Sequence, residues 1–281
     1  MRRILAVIGI VILLWPIHCD QAAPLPIAKI AFLDVGQGDA IYIEAPNGAQ
    51  TVIDGGPAGS LLSALSAEMP LGDKAINLVV VTNPDTDHYA GFLDLLDEYA
   101  VGAVLEPGTV SLTSTHKELQ QKIADEGIPE LLARKGMTVT LDAAAGVRLR
   151  VLFPDRDVSA MSSNDGSIIL VLEYGKTRVM LTGDATKRTE SIVLADGVPA
   201  DLTSDILKVG HHGSLTSSSE AFVRAVGAKY AVISVGKKNK YGLPKDATLD
   251  TVRRSGAEIL RTDEEGTIVF FSDGTEVWRE Q

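Results

Sequence analysis

Apolar residues in this chain fall into short runs bounded by glycine, proline and asparagine turns, and between those runs lie segments whose apolar positions recur every three to four residues. The first kind of pattern predicts strands over 27–35, 41–44 and 51–53, with Gly36-Gln37-Gly38-Asp39 and Pro46-Asn47-Gly48 as the turns between them. Further strands are predicted over 76–81, 101–105, 137–141, 147–153, 167–174, 178–182, 205–209 and 230–234, with closing strands between 258 and 278. Helical spacing marks 61–69, 92–99, 114–126, 185–194, 219–226 and 248–255. Strands return in the second half as they did in the first. That duplication predicts an α/β fold of two stacked sheets covered on the outside by helices.

Residues 1–23 stand apart from this pattern. Met1-Arg2-Arg3 is a basic start, the run 4–17 is apolar, and Ala22-Ala23 is a small-residue end. The run is shorter than the roughly 20 residues that cross a bilayer comfortably. It predicts a signal peptide, or a short membrane anchor through residues 4–17, ahead of one domain over 24–281. Export to a periplasmic or extracellular location follows. The 281-residue chain carries a net charge of −11, which disfavours general coating of nucleic acid but leaves room for a local basic groove. Its single cysteine, Cys19, excludes an internal disulfide framework and a cysteine-built metal cage.

Polar residues interrupt the pattern at the ends of predicted strands, where α/β sheets place ligands. The strand over 76–81 runs into Thr82-Asn83-Pro84-Asp85-Thr86-Asp87-His88, a strand-to-helix loop with two carboxylates and an imidazole. Oxygen and nitrogen donors of this kind suit zinc, manganese or iron. The strand over 51–53 ends in Asp54-Gly55-Gly56, an acid able to orient that loop from behind or simply to cap its own turn. Gly183-Asp184 closes another strand, and Gly210-His211-His212-Gly213-Ser214 follows a third. The loop from Gly236 to Pro244 holds Lys237, Asn239 and Tyr241, a local pairing of cations and an aromatic ring that can meet a phosphate and stack a base. His116 lies in a helical stretch among polar neighbours and reads as a surface residue.

Taken in this order, Asp85-Thr86-Asp87-His88, Gly183-Asp184 and His211-His212-Gly213-Ser214 resemble the motifs of the metallo-β-lactamase fold, and most closely those of the soluble domain of ComEC-type competence proteins. Phe32 through Ala40, Ile53 through Gly56, Lys208 before the histidines, and Gly236 through Pro244 extend the resemblance over nearly the whole chain after residue 23. The resemblance implies a four-layer αββα sandwich with a metal site at one edge, and hydrolysis by a metal-bound hydroxide. Carried over residue by residue, it implies Asp87 and His88 as ligands of one ion, Asp184 as a ligand able to bridge two, and one histidine of the pair as a further ligand. The other histidine is then free to donate a proton to the leaving group. Which of His211 and His212 does which stays open here. Lys208, Ser214, Lys237, Asn239 and Tyr241 are the candidate substrate contacts.

Four positions depart from the broader family pattern by losing an imidazole, Asn83, Asp85, Asn164 and Leu243, of which the aspartate is familiar from the competence branch. A neutral amide is a poor ligand for a transition metal. The pocket of Asn83, Asp85 and Asn164 should therefore hold a second ion weakly, and one firm zinc or manganese ion is expected. The expected activity is an exported metal-dependent hydrolase of the phosphodiesterase or nuclease type, acting on a small phosphodiester or a nucleic acid. The alternative is a catalytically decayed binding module on the same fold. The chain carries no hydrophobic segments for a membrane channel, so DNA transport by this chain alone is not expected.

Overall fold

The computed structural model describes residues 26–196 and 199–280, so the targeting segment read at 1–23 lies outside the described residues. The first sheet has eight strands in the order Val277–Arg279, Ile268–Ser272, Ala28–Phe32, Ala40–Glu44, Gln50–Gly55, Leu78–Val80, Val104–Glu106 and Glu130–Leu132. The second has seven, in the order Glu258–Arg261, Tyr230–Ile233, Ile206–Lys208, Thr177–Leu181, Ile169–Tyr174, Val147–Phe153 and Thr138–Asp142. Each sheet is antiparallel where short turns join its strands and parallel from Gln50–Gly55 or Thr177–Leu181 onward. Parallel neighbours need a long crossover, which explains why helical spacing appears in the sequence only between those strands.

Side-chain alternation sorts the core into layers, because successive residues of a strand face opposite sides of the sheet. Ile30, Phe32, Ile41, Ile43 and Ile53 of the first sheet meet Leu149, Val151, Leu170, Leu172 and Val232 of the second. The intervening residues Ala31, Tyr42 and Val52 face outward onto Leu61, Leu65, Phe92 and Leu119 of the helices Leu61–Glu68, Gly91–Glu98 and Ser114–Asp125. On the far side, Val171, Met180 and Leu207 pack on Val193 and Phe222, and Ala231 and Ile233 pack on Leu249 and Val252. Helix, sheet, sheet, helix is the order of layers, as the resemblance implied. No helix among the described residues is long and apolar enough to cross a membrane.

Local departures from the sequence expectations lie next to the motifs. Asp87 and His88 stand in a short helix, Thr86–Tyr89, rather than in an irregular loop. The residues between Glu258–Arg261 and Ile268–Ser272 turn through a one-turn helix, Thr262–Glu265. His116 is only 9% exposed, its ring edge-on to Tyr89 at 5.3 Å, because that face of its helix packs inward. Gly183 is what lets the two sheets meet at the site: at φ +48°, a Cβ there would fall 2.5 Å from Thr82 Oγ1.

Candidate metal centre

The carboxyl ends of five parallel strands deliver the polar residues to one edge of the sandwich. Asp54 ends Gln50–Gly55 with φ +58°, an uncommon conformation for a side chain other than glycine. Its carboxylate accepts from the Thr82 N–H at 2.8 Å, from Thr82 Oγ1 at 2.6 Å and from His88 Nδ1 at 2.8 Å. With the Nδ1 proton directed at Asp54, the Nε2 lone pair of His88 points forward, 3.1 Å from Asp184 Oδ2. Asp54 therefore orients the ligand loop from behind, the first of the two readings its sequence allowed.

The histidine pair is separated by its backbone. Gly210–Gly213 is a tight turn in which His211 (φ +49°) and His212 (φ +52°) are both left-handed, so adjacent rings face different partners. His212 donates from Nδ1 to the Ser234 carbonyl at 2.8 Å, which leaves Nε2 3.3 Å from Asp87 Oδ2 and 3.8 Å from Asp184 Oδ2. His211 is bonded through Nδ1 to Thr216 Oγ1 at 2.8 Å and sits nearer the surface, its Nε2 3.6 Å from Asp184 Oδ2.

Three buried ligand atoms at this convergence, His88 Nε2, His212 Nε2 and Asp184 Oδ1, have no hydrogen-bond partner. Buried polar atoms are nearly always satisfied, so three unsatisfied ones on side chains that touch one another are the arrangement a cation completes. One donor atom from each of Asp87, His88 and His212 lies within 4.8 Å of the others, with Asp184 against both imidazoles. Two imidazoles and two carboxylates are donors whose chemistry suits a divalent transition metal.

Without an ion, protons take its place. Burial pushes His212 down, but the Asp184 and Asp39 carboxylates outweigh it and push the imidazole up to about 10. His88 is also raised well above its ordinary value, burial being overcome by Asp184 and Asp54. Burial alone would raise Asp184, yet His88 and His212 hold it well below the usual carboxylate range. The sign of the pH dependence follows. A raised imidazole pKa stabilises the fold below the ordinary value of 6.5, and that stability is lost as pH climbs toward about 10. Metal-free protein should thus melt at progressively lower temperature from pH 6.5 to 9, while zinc affinity rises over the same range as each imidazole gives up its proton. Melting curves with chelator and zinc titrations across that range check both slopes; a flat zinc affinity would show that the imidazoles are not the ligands.

The remaining candidates divide. Asn83 is fully buried, and its Oδ1 accepts from the Asp85 N–H at 2.8 Å, so the amide oxygen is used inside its own turn. Asp85 faces the cleft and accepts from Ser163 Oγ at 2.9 Å, while Asn164 Oδ1 is buried without a partner. Ser214 and Tyr241 line a cleft of about 370 Å³ over Asp87, Asp184 and the histidines. Lys208 is corrected: it is fully buried, its ammonium 2.6 Å from Asp39 Oδ2, and cannot reach a substrate. Asn239 is corrected as well, since its amide donates to the Gly236 and Leu243 carbonyls and accepts from the Leu243 N–H, closing its own loop. Lys237 is exposed outside the lining of the cleft; the lysine that lines it is Lys245.

Asp39 was missed. It is 1% exposed and lies 3.2 Å from His212 Nδ1, and its signal in the sequence was an acid set directly before a strand in Gly36-Gln37-Gly38-Asp39-Ala40.

The sequence profile of the Metallo-beta-lactamase superfamily matches residues 33–237, which takes in Asp39, Asp54, the Asn83–His88 segment, Asn164, Asp184 and the histidine pair. The chain belongs to the metallo-β-lactamase superfamily. Within it, the chain is 31% identical over 260 residues to ComE operon protein 3 of Bacillus subtilis (strain 168), covering 86% of this chain and 33% of that protein. It is 29% identical over 251 residues to competence protein ComA of Neisseria gonorrhoeae, covering 89% and 33% respectively. The chain thus spans about one third of the length of these relatives. Among solved structures, the CmlA beta-hydroxylase E377D mutant matches with a TM-score of 0.57 at 12% identity, over 88% of this chain and 54% of that one. A diphosphatase from the PhnP family matches with a TM-score of 0.51 at 14% identity, over 87% and 98%. The metallo-β-lactamase fold is common to both, and a fold that carries a hydroxylase and a diphosphatase does not by itself select the reaction.

Proposed function

We propose that the chain is an exported phosphodiesterase working with one divalent ion, zinc or manganese, on small phosphodiesters or single-stranded nucleic acid. The observation that carries this reading is the set of unpaired lone pairs on His88, His212 and Asp184 beneath a cleft whose rim holds a cation and an exposed aromatic ring. Asp87, His88, Asp184 and His212 would hold the ion. A divalent ion in such a site lowers the pKa of water to about 7 and polarises a phosphoryl oxygen.

The chain's own groups supply the rest. Lys245 meets a non-bridging phosphate oxygen, and Tyr241, 54% exposed, offers a face on which a base stacks. Thr216 donates to Ser214 Oγ at 3.0 Å and accepts from His211 Nδ1, so Nε2 carries the lone pair of the neutral ring and, once it has taken a proton from solvent, would be the atom that passes that proton to the leaving oxygen. Support for a single firm ion comes from the second pocket, where Asn83 and Asn164 present amides and the Asp85 carboxylate is engaged by Ser163.

Hydrolysis of bis(p-nitrophenyl) phosphate and of a short oligothymidylate, each with added manganese and then with chelator, tests this. Tyr241→Ala and Lys245→Ala should raise KM for the oligonucleotide by about tenfold each, near the lower end of the known cost of a lost base stack. The small ester, which has no base, should be affected by Lys245→Ala alone. Metal-dependent hydrolysis of neither compound would point instead to a binding module.

A further inference from the structure

Asp39 and Lys208 form an ion pair with no evident purpose in the fold. Lys208 ends the strand Ile206–Lys208 of the second sheet, and Asp39 precedes Ala40–Glu44 of the first, so the pair joins the two sheets beneath the metal centre. Their side chains are 0% and 1% exposed, and Nζ lies 2.6 Å from Oδ2. Among the described residues, that ammonium also donates to the carbonyl of its neighbour Val209, at 3.0 Å. A buried pair of this kind is seldom a net gain in stability, since apolar residues of similar volume often serve as well. Its position suggests what it does instead.

Asp39 touches two of the proposed ligands by different routes. Its Oδ1 lies 3.2 Å from His212 Nδ1, beside the bond that His212 makes to the Ser234 carbonyl, and has no hydrogen-bond partner of its own. Its N–H donates to the Asp87 carbonyl at 3.1 Å, and its carbonyl accepts from the Gly56 N–H at 2.8 Å, one residue after the turn that begins at Asp54. Gly38 makes this approach possible, because a Cβ there would fall 2.4 Å from the Asp87 carbonyl oxygen. The carboxylate also adds to a crowd, since Asp54, Asp87 and Asp184 already surround the two imidazoles. Lys208 cancels that added charge where water cannot.

We infer that Asp39 and Lys208 are a positioning pair for the metal centre: Lys208 pins the Asp39 carboxylate, and Asp39 holds the His212 ring and the Asp87 backbone in register with the ion. Neither residue touches ion or substrate. Outer-shell partners of this kind typically govern metal affinity by about 10- to 100-fold. The inference rests on the metal-centre reading above but not on the identity of the substrate.

The test is zinc affinity of the protein, by chelator competition, in Asp39→Asn, Lys208→Met and the double variant, with the melting temperature of each metal-free form. The visible spectrum of the cobalt(II)-loaded protein reports ligand geometry directly. Glu173→Gln is the control, a buried carboxylate held by Arg148 and Arg150 on the strand Ile169–Tyr174, with no bond, among the described residues, to those of the centre. Expected is a dissociation constant raised about 10- to 100-fold in the double variant, with a shifted cobalt spectrum, while its metal-free form melts near the wild type because both charges leave together. Glu173→Gln should lower melting and leave affinity and spectrum unchanged. Asp39→Glu keeps both charges and displaces only the carboxylate, and gives the same reading if the double variant does not fold. Wild-type affinity and spectrum in the pair variants would overturn the inference and leave the metal centre standing. No zinc or manganese uptake by the wild type would overturn the metal reading itself, and this inference with it.

Discussion

Asp184→Ala is expected to abolish firm metal binding, raising the dissociation constant by more than the roughly 10- to 100-fold that accompanies loss of an outer-shell partner. Phosphodiester hydrolysis should fall with it to the level of chelator-treated protein. The reason is position: Asp184 is 2% exposed and, among the described residues, is the one carboxylate that reaches His88, His211 and His212 together, at 3.1, 3.6 and 3.8 Å. Removing it also withdraws the first of the carboxylate charges that raise both buried imidazoles in the metal-free state, leaving Asp54 beside His88 and Asp39 beside His212. The imidazoles can shed their protons, so the fold should survive and the loss be read as metal affinity by calorimetric titration. Retained tight binding in the variant would remove Asp184 from the ligand set.

The second large effect is an asymmetry between adjacent histidines. His212→Ala should behave like Asp184→Ala, because its Nε2 is buried and unpaired among the ligands. His211→Ala should keep the ion and lose about 10²- to 10⁴-fold in kcat, the usual contribution of a positioned proton donor. Metal content and kcat measured on the same preparations separate the two roles. Loss of metal in His211→Ala with retention in His212→Ala would reverse the assignment.

How far such roles are legible in the sequence depends on whether a residue's partner is local. Asp87, His88, Asp184 and the histidine pair could be singled out because each follows an apolar run at once, and strand ends in an α/β sheet are where ligands gather. The division between His211 and His212 could not, because two left-handed residues in succession turn the rings toward Thr216 and Ser234, and that turn has no periodicity. Lys208 misled for a related reason. Its strand is buried on both faces, so alternation carries no sign of inside or outside, and its partner Asp39 comes from the other sheet. Asn239 looked available in a basic loop, yet its amide closes that loop. The four layers were readable because crossover helices and buried β-branched runs each leave a periodic trace.

The family places this chain among proteins built to bind divalent metals, and the central claim is narrower: one firm ion, held by Asp87, His88, Asp184 and His212. Elemental analysis of protein purified with zinc and manganese supplied and then freed of loose ions by gel filtration tests it most directly. One ion per chain in the wild type, and less than a tenth of that in Asp184→Ala, is the predicted result. Two tightly held ions would show that Asn83, Asp85 and Asn164 form a competent second site, and none would contradict the metal centre altogether.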